Sequence, residues 1–216
     1  MIHKPFGFIA SKTPSIPRNG LIGEWLFSNN LLDTSGNGYN FTNNNTTFTT
    51  DRKTETNSAV YFNGSDAYCY VANFENIITS DWSLSFWIRP DGDIANNKTF
   101  ISYGDITQTS KYFSFRRFSN NLYYSATWDS TLSIPASTWT HFVITYSYND
   151  LDLYVYKNDS ESNSNLNLSL GSSSTLNFML GAFISPITGL FKGSMDDFRV
   201  YNRVLTSNDI TALYNE

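Results

Sequence analysis

The stretch Trp82-Ser83-Leu84-Ser85-Phe86-Trp87-Ile88-Arg89-Pro90 decides the fold. Trp82, Leu84, Phe86 and Ile88 alternate with Ser83, Ser85, Trp87 and Arg89, a period of two that suits a β-strand with one face buried. Pro90 ends the run. Shorter runs rich in aromatic and β-branched residues extend from it in both directions, spaced by roughly ten residues. They cover 21–27, 59–62 and 68–71 on one side, then 100–103, 112–118, 122–128, 139–146, 151–157, 178–181 and 191–201 on the other. Asn63-Gly64, between two such runs, predicts a hairpin because both residues tolerate positive φ. No helical pattern intervenes, so the sequence predicts an all-β antiparallel sandwich. A single helix is expected at the end. Thr206 and Asp209 have capping-box spacing, and Ile210, Leu213 and Tyr214 supply an apolar stripe that would lie over a sheet edge.

The composition agrees and removes several functions. Aromatic residues reach 17% of the 216 positions, and Ser, Thr and Asn make up about a third of the chain, a mixture that favours strands and turns. Only 14 residues are Lys or Arg and the net charge is −5, which argues against a nucleic-acid partner. No apolar run is long enough for a membrane-spanning helix. The lone Cys69 rules out an intrachain disulfide and reads as a small buried strand residue.

Residues 1–20 form the first unit, an extended arm with Pro5, Pro14 and Pro17, and residues 21–216 form the second, the sandwich. Two readings of the arm stand open: a disordered tail, or a segment that anchors to a partner through Phe6, Phe8 and Ile9. Its apolar piece, Phe6 to Ala10, is too short for a secretory signal, so no cleaved leader is expected.

The order of motifs resembles that of the laminin-G-like, concanavalin A-like jelly roll, in its pentraxin-related branch. The opening appears as Gly20-Leu21, then Trp25-Leu26-Phe27, then Asp33-Thr34-Ser35-Gly36-Asn37-Gly38. Val60-Tyr61-Phe62-Asn63-Gly64, the run ending in Trp87-Ile88-Arg89-Pro90, and Trp139-Thr140-His141 follow in order. The closing signature is Gly193-Ser194-Met195-Asp196-Asp197-Phe198-Arg199-Val200-Tyr201-Asn202-Arg203, leading to a short helix. One departure is Asn158, which stands where such domains commonly have a turn glycine; Asn accepts the left-handed conformation, so the turn should survive.

The resemblance implies a concanavalin A-like sandwich that binds carbohydrate or protein surfaces. It also implies one structural calcium ion, held by Asp33, Asn37 and one of Asp196 or Asp197. Strand parity puts Asp196, Phe198 and Val200 on one face and Asp197, Arg199 and Tyr201 on the other, without deciding which aspartate turns to the loop. The competing reading is that Asp33 caps a turn and an aspartate pairs with Arg199 or Arg203.

Related hydrolases carry Glu-x-Asp-x-Glu on a strand. None of the five glutamates here lies two residues from another acid on an expected strand, so no enzymatic activity is expected. His3 and His141 sit on different segments, and His141 reads as a packed or hydrogen-bonded strand residue rather than a catalytic base. Sugar recognition needs aromatic faces and hydroxyl-pairing amides. Trp128, Tyr103, Tyr112 and Tyr148, with Asn120, Asn121, Asp105 and Asp129, are the candidates, against the alternative that these rings are simply core.

The expectation is therefore a non-catalytic binding module for glycan recognition or adhesion, displayed on a larger assembly such as a phage or virus particle. The alternative is a structural decoration or fibre protein of a virion, anchored by its arm. The location would be a virion surface, or else the cell exterior. A homo-oligomer is compatible with either.

Overall fold

The computed structural model describes residues 15–92, 97–104, 112–118, 121–124, 128–162, 177–183 and 186–216. Phe6, Phe8 and Ile9 of the arm lie outside them. The described residues form two antiparallel sheets and one helix. In chain order the strands are β1 (Leu21–Trp25), β2 (Thr42–Asn44), β3 (Thr47–Thr49), β4 (Ala59–Asn63) and β5 (Tyr68–Val71). Next come β6 (Trp82–Pro90), β7 (Lys98–Gly104), β8 (Tyr112–Phe118), β9 (Asn121–Tyr124) and β10 (Trp128–Ser133). The last are β11 (Thr140–Ser147), β12 (Asp152–Lys157), β13 (Ser160–Ser162), β14 (Phe178–Leu180) and β15 (Lys192–Tyr201), followed by α1 (Ser207–Tyr214).

The eight-stranded sheet runs β13-β12-β11-β6-β15-β4-β3, with β1 also paired to β15. The seven-stranded sheet runs β10-β9-β8-β7-β14-β5-β2. The core is the space between them, filled by the inward residues that alternation selects. Trp82 of β6 stacks on Phe113 of β8, ring centroids 4.7 Å apart, and Phe198 of β15 meets Phe178 of β14 at 5.6 Å. Both pairs join one sheet to the other. Cys69 is fully buried among these residues, and burial pushes its thiol up, away from thiolate reactivity.

Three expectations change. The strands flanking Asn63-Gly64 do not pair with each other: β4 belongs to the eight-stranded sheet and β5 to the seven-stranded one. The Asn63 side-chain oxygen accepts the N–H groups of Ser65, Asp66 and Ala67, and this local turn carries the chain from one layer to the other. The parity of the closing strand is broken by a bulge. Asp196 pairs with Trp87 but Arg199 pairs with Ser85, so Asp197 and Phe198 together oppose one partner residue, and Asp197 takes a φ of 44°. Phe198 stays in the core, while Asp196 and Arg199 now both face outward beside the bulged Asp197. Finally, α1 covers the outer face of the eight-stranded sheet rather than an edge. Ile210 and Leu213 pack with Val143, Tyr201 and Leu205, and Tyr214 stacks on Trp87 at 5.7 Å.

Other details follow the sequence. The capping box is formed, with Thr206 and Asp209 exchanging side-chain and backbone bonds. Asn158 and Asp159 both have positive φ in the β12–β13 turn, and the Asn158 side chain also accepts the His141 N–H at 3.0 Å. His141 is buried under α1 between Trp87 and Tyr214, with its Nε2 3.0 Å from the Ser85 hydroxyl. Burial first, then the positive charges of Arg52 and Arg199, hold its pKa down to about 3.

Replacing Trp82 with Ala should cost about 3–5 kcal/mol, from lost transfer energy and the cavity left behind, read as a lower urea midpoint. His141 gives a second test. Its folded pKa is depressed from 6.5, so the unfolded chain binds the proton more readily and stability falls as pH drops below that value. His141→Gln should shrink the difference in urea midpoint between pH 7.5 and pH 4.5 relative to the unaltered protein.

Candidate functional site

The residues expected to hold calcium are engaged otherwise. Asp33 organises the first polar loop: its carboxylate accepts the N–H groups of Glu24, Ser35 and Tyr39 at 2.9–3.0 Å. Burial alone would raise its pKa, but these bonds outweigh it and hold the carboxyl below its usual value. The Asn37 amide donates to the Ile22 carbonyl at 3.1 Å. Asp196 and Asp197 share the guanidinium of Arg52, at 2.7 Å in the first case, and Arg52 in turn lies over the Trp87 ring at 4.9 Å. Asp196 is pushed up by burial first and by its charged neighbour Asp197 next, with Arg52 opposing. As arranged, these side chains do not form a cation cage, and among the described residues no group of three or more His, Cys, Asp or Glu is placed to hold a metal.

A second ionic group adjoins this one on the same outer face. Arg199, 1% exposed, pairs with Glu24 at 2.9 Å and with Glu216 at 2.8 Å, and Arg18 also reaches Glu24 at 2.7 Å. Burial would raise the Glu24 pKa, but bonds from Arg18, Arg199 and Thr34 hold it below the usual carboxylate value. A cleft of about 250 Å³ opens beside the two networks, with Asp51, Arg52, Glu55, Asp196, Asp197 and Glu216 among its walls. Asp196, Asp197 and Glu216 in its walls are each paired with an arginine, so it has the character of a braced joint between the 51–58 loop, β15 and the C-terminal residues.

The expected sugar-binding residues are not gathered in one place. Tyr103 is fully buried, its hydroxyl donating to the Glu75 carbonyl at 2.7 Å, because β7 turns Ile101 and Tyr103 into the core. Tyr112 opens β8, whereas Asn121 pairs with Phe118 at the far end of that strand, about 20 Å away at the usual rise per residue. Trp128 and Asp129 lie on β10, paired with Tyr124 and Tyr123. Asn120 and Asp105 fall outside the described residues. Tyr148 is on the surface, at 38% exposure, with its N–H bonded to Asp81.

Around Tyr112 the structure assembles something that sequence order conceals. On the outer face of the seven-stranded sheet, Tyr70, Met179, Ser102 and Ser114 line up across four strands by register. The segment after β14 folds back over this row. Gly181, at φ 85°, starts the fold-back where a Cβ would lie 2.2 Å from the Phe62 ring. The Ala182 carbonyl accepts from the Ser102 hydroxyl at 3.0 Å, and Leu190 packs with Met179, Tyr68 and Tyr70. Phe183 reaches two residues of β8 at once: the Tyr112 ring, edge-on at 6.0 Å, and the Arg116 guanidinium, 5.4 Å from its centroid. Tyr112 and Arg116 are four residues apart on one strand, so Phe183 lies across β8 between them. The result is a half-buried ledge of two aromatic rings and one cation. Arg116 could have been singled out by its outward parity beside Phe115, but nothing local in the sequence brings Phe183 to it.

Comparison with known proteins bears on this architecture. No curated protein matches the chain. Among solved structures, domain 4 of AbnA, a GH43 extracellular arabinanase from Geobacillus stearothermophilus in complex with arabinotriose, superimposes with a TM-score of 0.65 at 24% identity. That match covers 89% of this chain and 97% of the other. The binding domain of botulinum neurotoxin serotype D/C matches with a TM-score of 0.69 at 19% identity, over 92% of this chain and 52% of that one. Trypanosoma rangeli sialidase in complex with sialic acid gives 0.72 at 18%, over 93% of this chain but only 33% of the enzyme. The chain thus spans about half of the neurotoxin domain and a third of the sialidase, and at these identities the likeness is one of fold. A family model covers residues 62–211, more than half of the chain, and on that match the chain belongs to the concanavalin A-like lectin/glucanases superfamily.

Proposed function

We propose that the chain is a non-catalytic carbohydrate-binding domain whose ligand rests on the Tyr112–Phe183–Arg116 ledge. The observation that carries this reading is the ledge itself. Two partly accessible rings from separate segments are held next to a polar group on the outside of a sheet, which suits the apolar face and hydroxyl edge of a sugar ring. Membership of a lectin and glucanase superfamily, and likeness in fold to an arabinanase domain solved with arabinotriose, support it. The carboxylates of the outer ionic groups speak for binding over hydrolysis. Glu24 is tied to two arginines and held below its usual pKa, and Asp196 and Asp197 share a third arginine.

The proposal includes display on a larger assembly, such as a phage or virus particle, through the N-terminal arm. Residues 15–20 fix the face on which such an attachment would sit. Ile16 packs beside Leu205 and Ile210, the Pro17 carbonyl accepts the Tyr201 hydroxyl at 3.2 Å, and the Asn19 carbonyl accepts Arg203 Nε at 2.8 Å. This strap runs over the eight-stranded sheet, on the opposite side of the sandwich from the ledge. A chain lacking residues 1–14 that still joined its assembly would end the anchoring idea. Structural calcium is a separate proposal: a melting temperature higher in calcium than in EGTA would support it, and would require Arg52 to leave Asp196 and Asp197.

On a glycan array the intact protein should bind a restricted set of saccharides. Tyr112→Ala and Phe183→Ala should each weaken that binding about ten-fold or more, a loss of roughly 1.4 kcal/mol, with the urea midpoint little changed. A blank array, or full binding by both variants, would remove the ledge as the site.

A further inference from the structure

From the state of Arg116, and resting on the carbohydrate-binding reading above, we infer that the saccharide is acidic: a carboxylate or sulfate group pairs with the Arg116 guanidinium while the sugar ring lies on Tyr112 and Phe183.

Four of this chain's arginines are paired with acids. Arg18, Arg52, Arg199 and Arg203 each have a carboxylate oxygen at 2.7–2.8 Å. That is expected in a protein of net charge −5, where acids outnumber bases. Among the described residues Arg89, which lies over Trp139, and Arg116 lack such a carboxylate, and of the two only Arg116 stands beside the Tyr112–Phe183 ledge. It is half-buried, its Nε is shielded and has no acceptor, and among the described residues no carboxylate pairs with it. Its guanidinium lies 5.4 Å from the centre of the Phe183 ring. Burial pushes its pKa down, and the neighbouring Tyr112 only partly opposes this.

A partly desolvated guanidinium with open donors is costly unless an acceptor arrives. The group best matched to it is a planar or tetrahedral oxyanion, which can take two parallel N–H bonds. The cation is oriented by stacking on Phe183, so less freedom is lost when an anion docks. The same ring and Tyr112 provide the adjoining apolar surface. A ligand that satisfies both features carries its negative charge on a sugar.

The test measures binding of the full chain to three oligomers of equal length: an uncharged galactan, a galacturonate and a sulfated galactan. The expected result is at least about ten-fold tighter binding of one acidic oligomer than of the neutral one, and which of the two prevails distinguishes carboxylate from sulfate. The preference should shrink as salt rises from about 0.05 M to about 0.3 M. Arg116→Gln should remove the acidic preference, so that the acidic and neutral oligomers bind alike. Arg116→Lys, which keeps charge but loses the two-pronged geometry, should fall between. Equal binding of acidic and neutral oligomers, or an acidic preference that survives Arg116→Gln in a folded protein, overturns the inference and leaves the carbohydrate reading standing. Binding of none of the three by a protein that also gives a blank array overturns both.

Discussion

Burying charge on the outside of a sheet is expensive, and the outer layer of this protein does so with its buried carboxylates Glu24, Asp196 and Asp197 matched to guanidinium groups. Arg199 and Arg52 are the two cations on which the layer turns. Arg199 joins β15 to β1 through Glu24 and to the C-terminal residue through Glu216. Arg52 brings a distant loop down onto Asp196 and Asp197 and lies over Trp87, which itself stacks on Tyr214 of α1. Removing one partner from such a pair generally costs about 3–5 kcal/mol, because the other is left charged and dry. The helix, the loop at 51–58 and the strap before β1 are therefore held by one connected set of charges over one face.

Titrating groups in this layer pull in opposite directions. Lowering the pH costs stability at His141, whose neutral form is the buried one. Asp196, raised by burial, gains from the same change, since its folded state holds the proton more tightly than the unfolded chain does. Glu24, held below its usual value, adds to the loss, so a flat pH profile in mildly acidic solution would be a sum of opposing slopes rather than their absence.

Much of the fold was legible because most strands obey a strict alternation. The β6 segment was readable end to end, as were the capping box and the left-handed Asn158. Legibility failed where a single residue or a long-range contact intervened. One inserted residue at Asp197 reversed the parity of the closing strand and put Asp196 and Arg199 on the same side, which no counting by twos could show. Asn63-Gly64 looked like a hairpin because the turn chemistry is the same; what differs is which layer the next strand joins. The strands β2, β3 and β13 are three residues each and polar, too short to show any period. For the candidate site, Tyr112 was visible, but Tyr103 was misplaced because its strand turns it inward. Arg116 and Phe183 were missed because they meet only through the fold-back after Gly181. Calcium was suggested by motif order, and the structure spends the same side chains on a turn and on Arg52.

The strap at residues 15–20 and the Tyr112–Phe183 ledge lie on opposite outer faces of the sandwich. A domain tethered by its beginning therefore presents the ledge away from whatever holds it. In an array of copies fixed to one support, the ledges would share a common outward orientation, and weak individual contacts could combine into avidity without any new interaction between the copies.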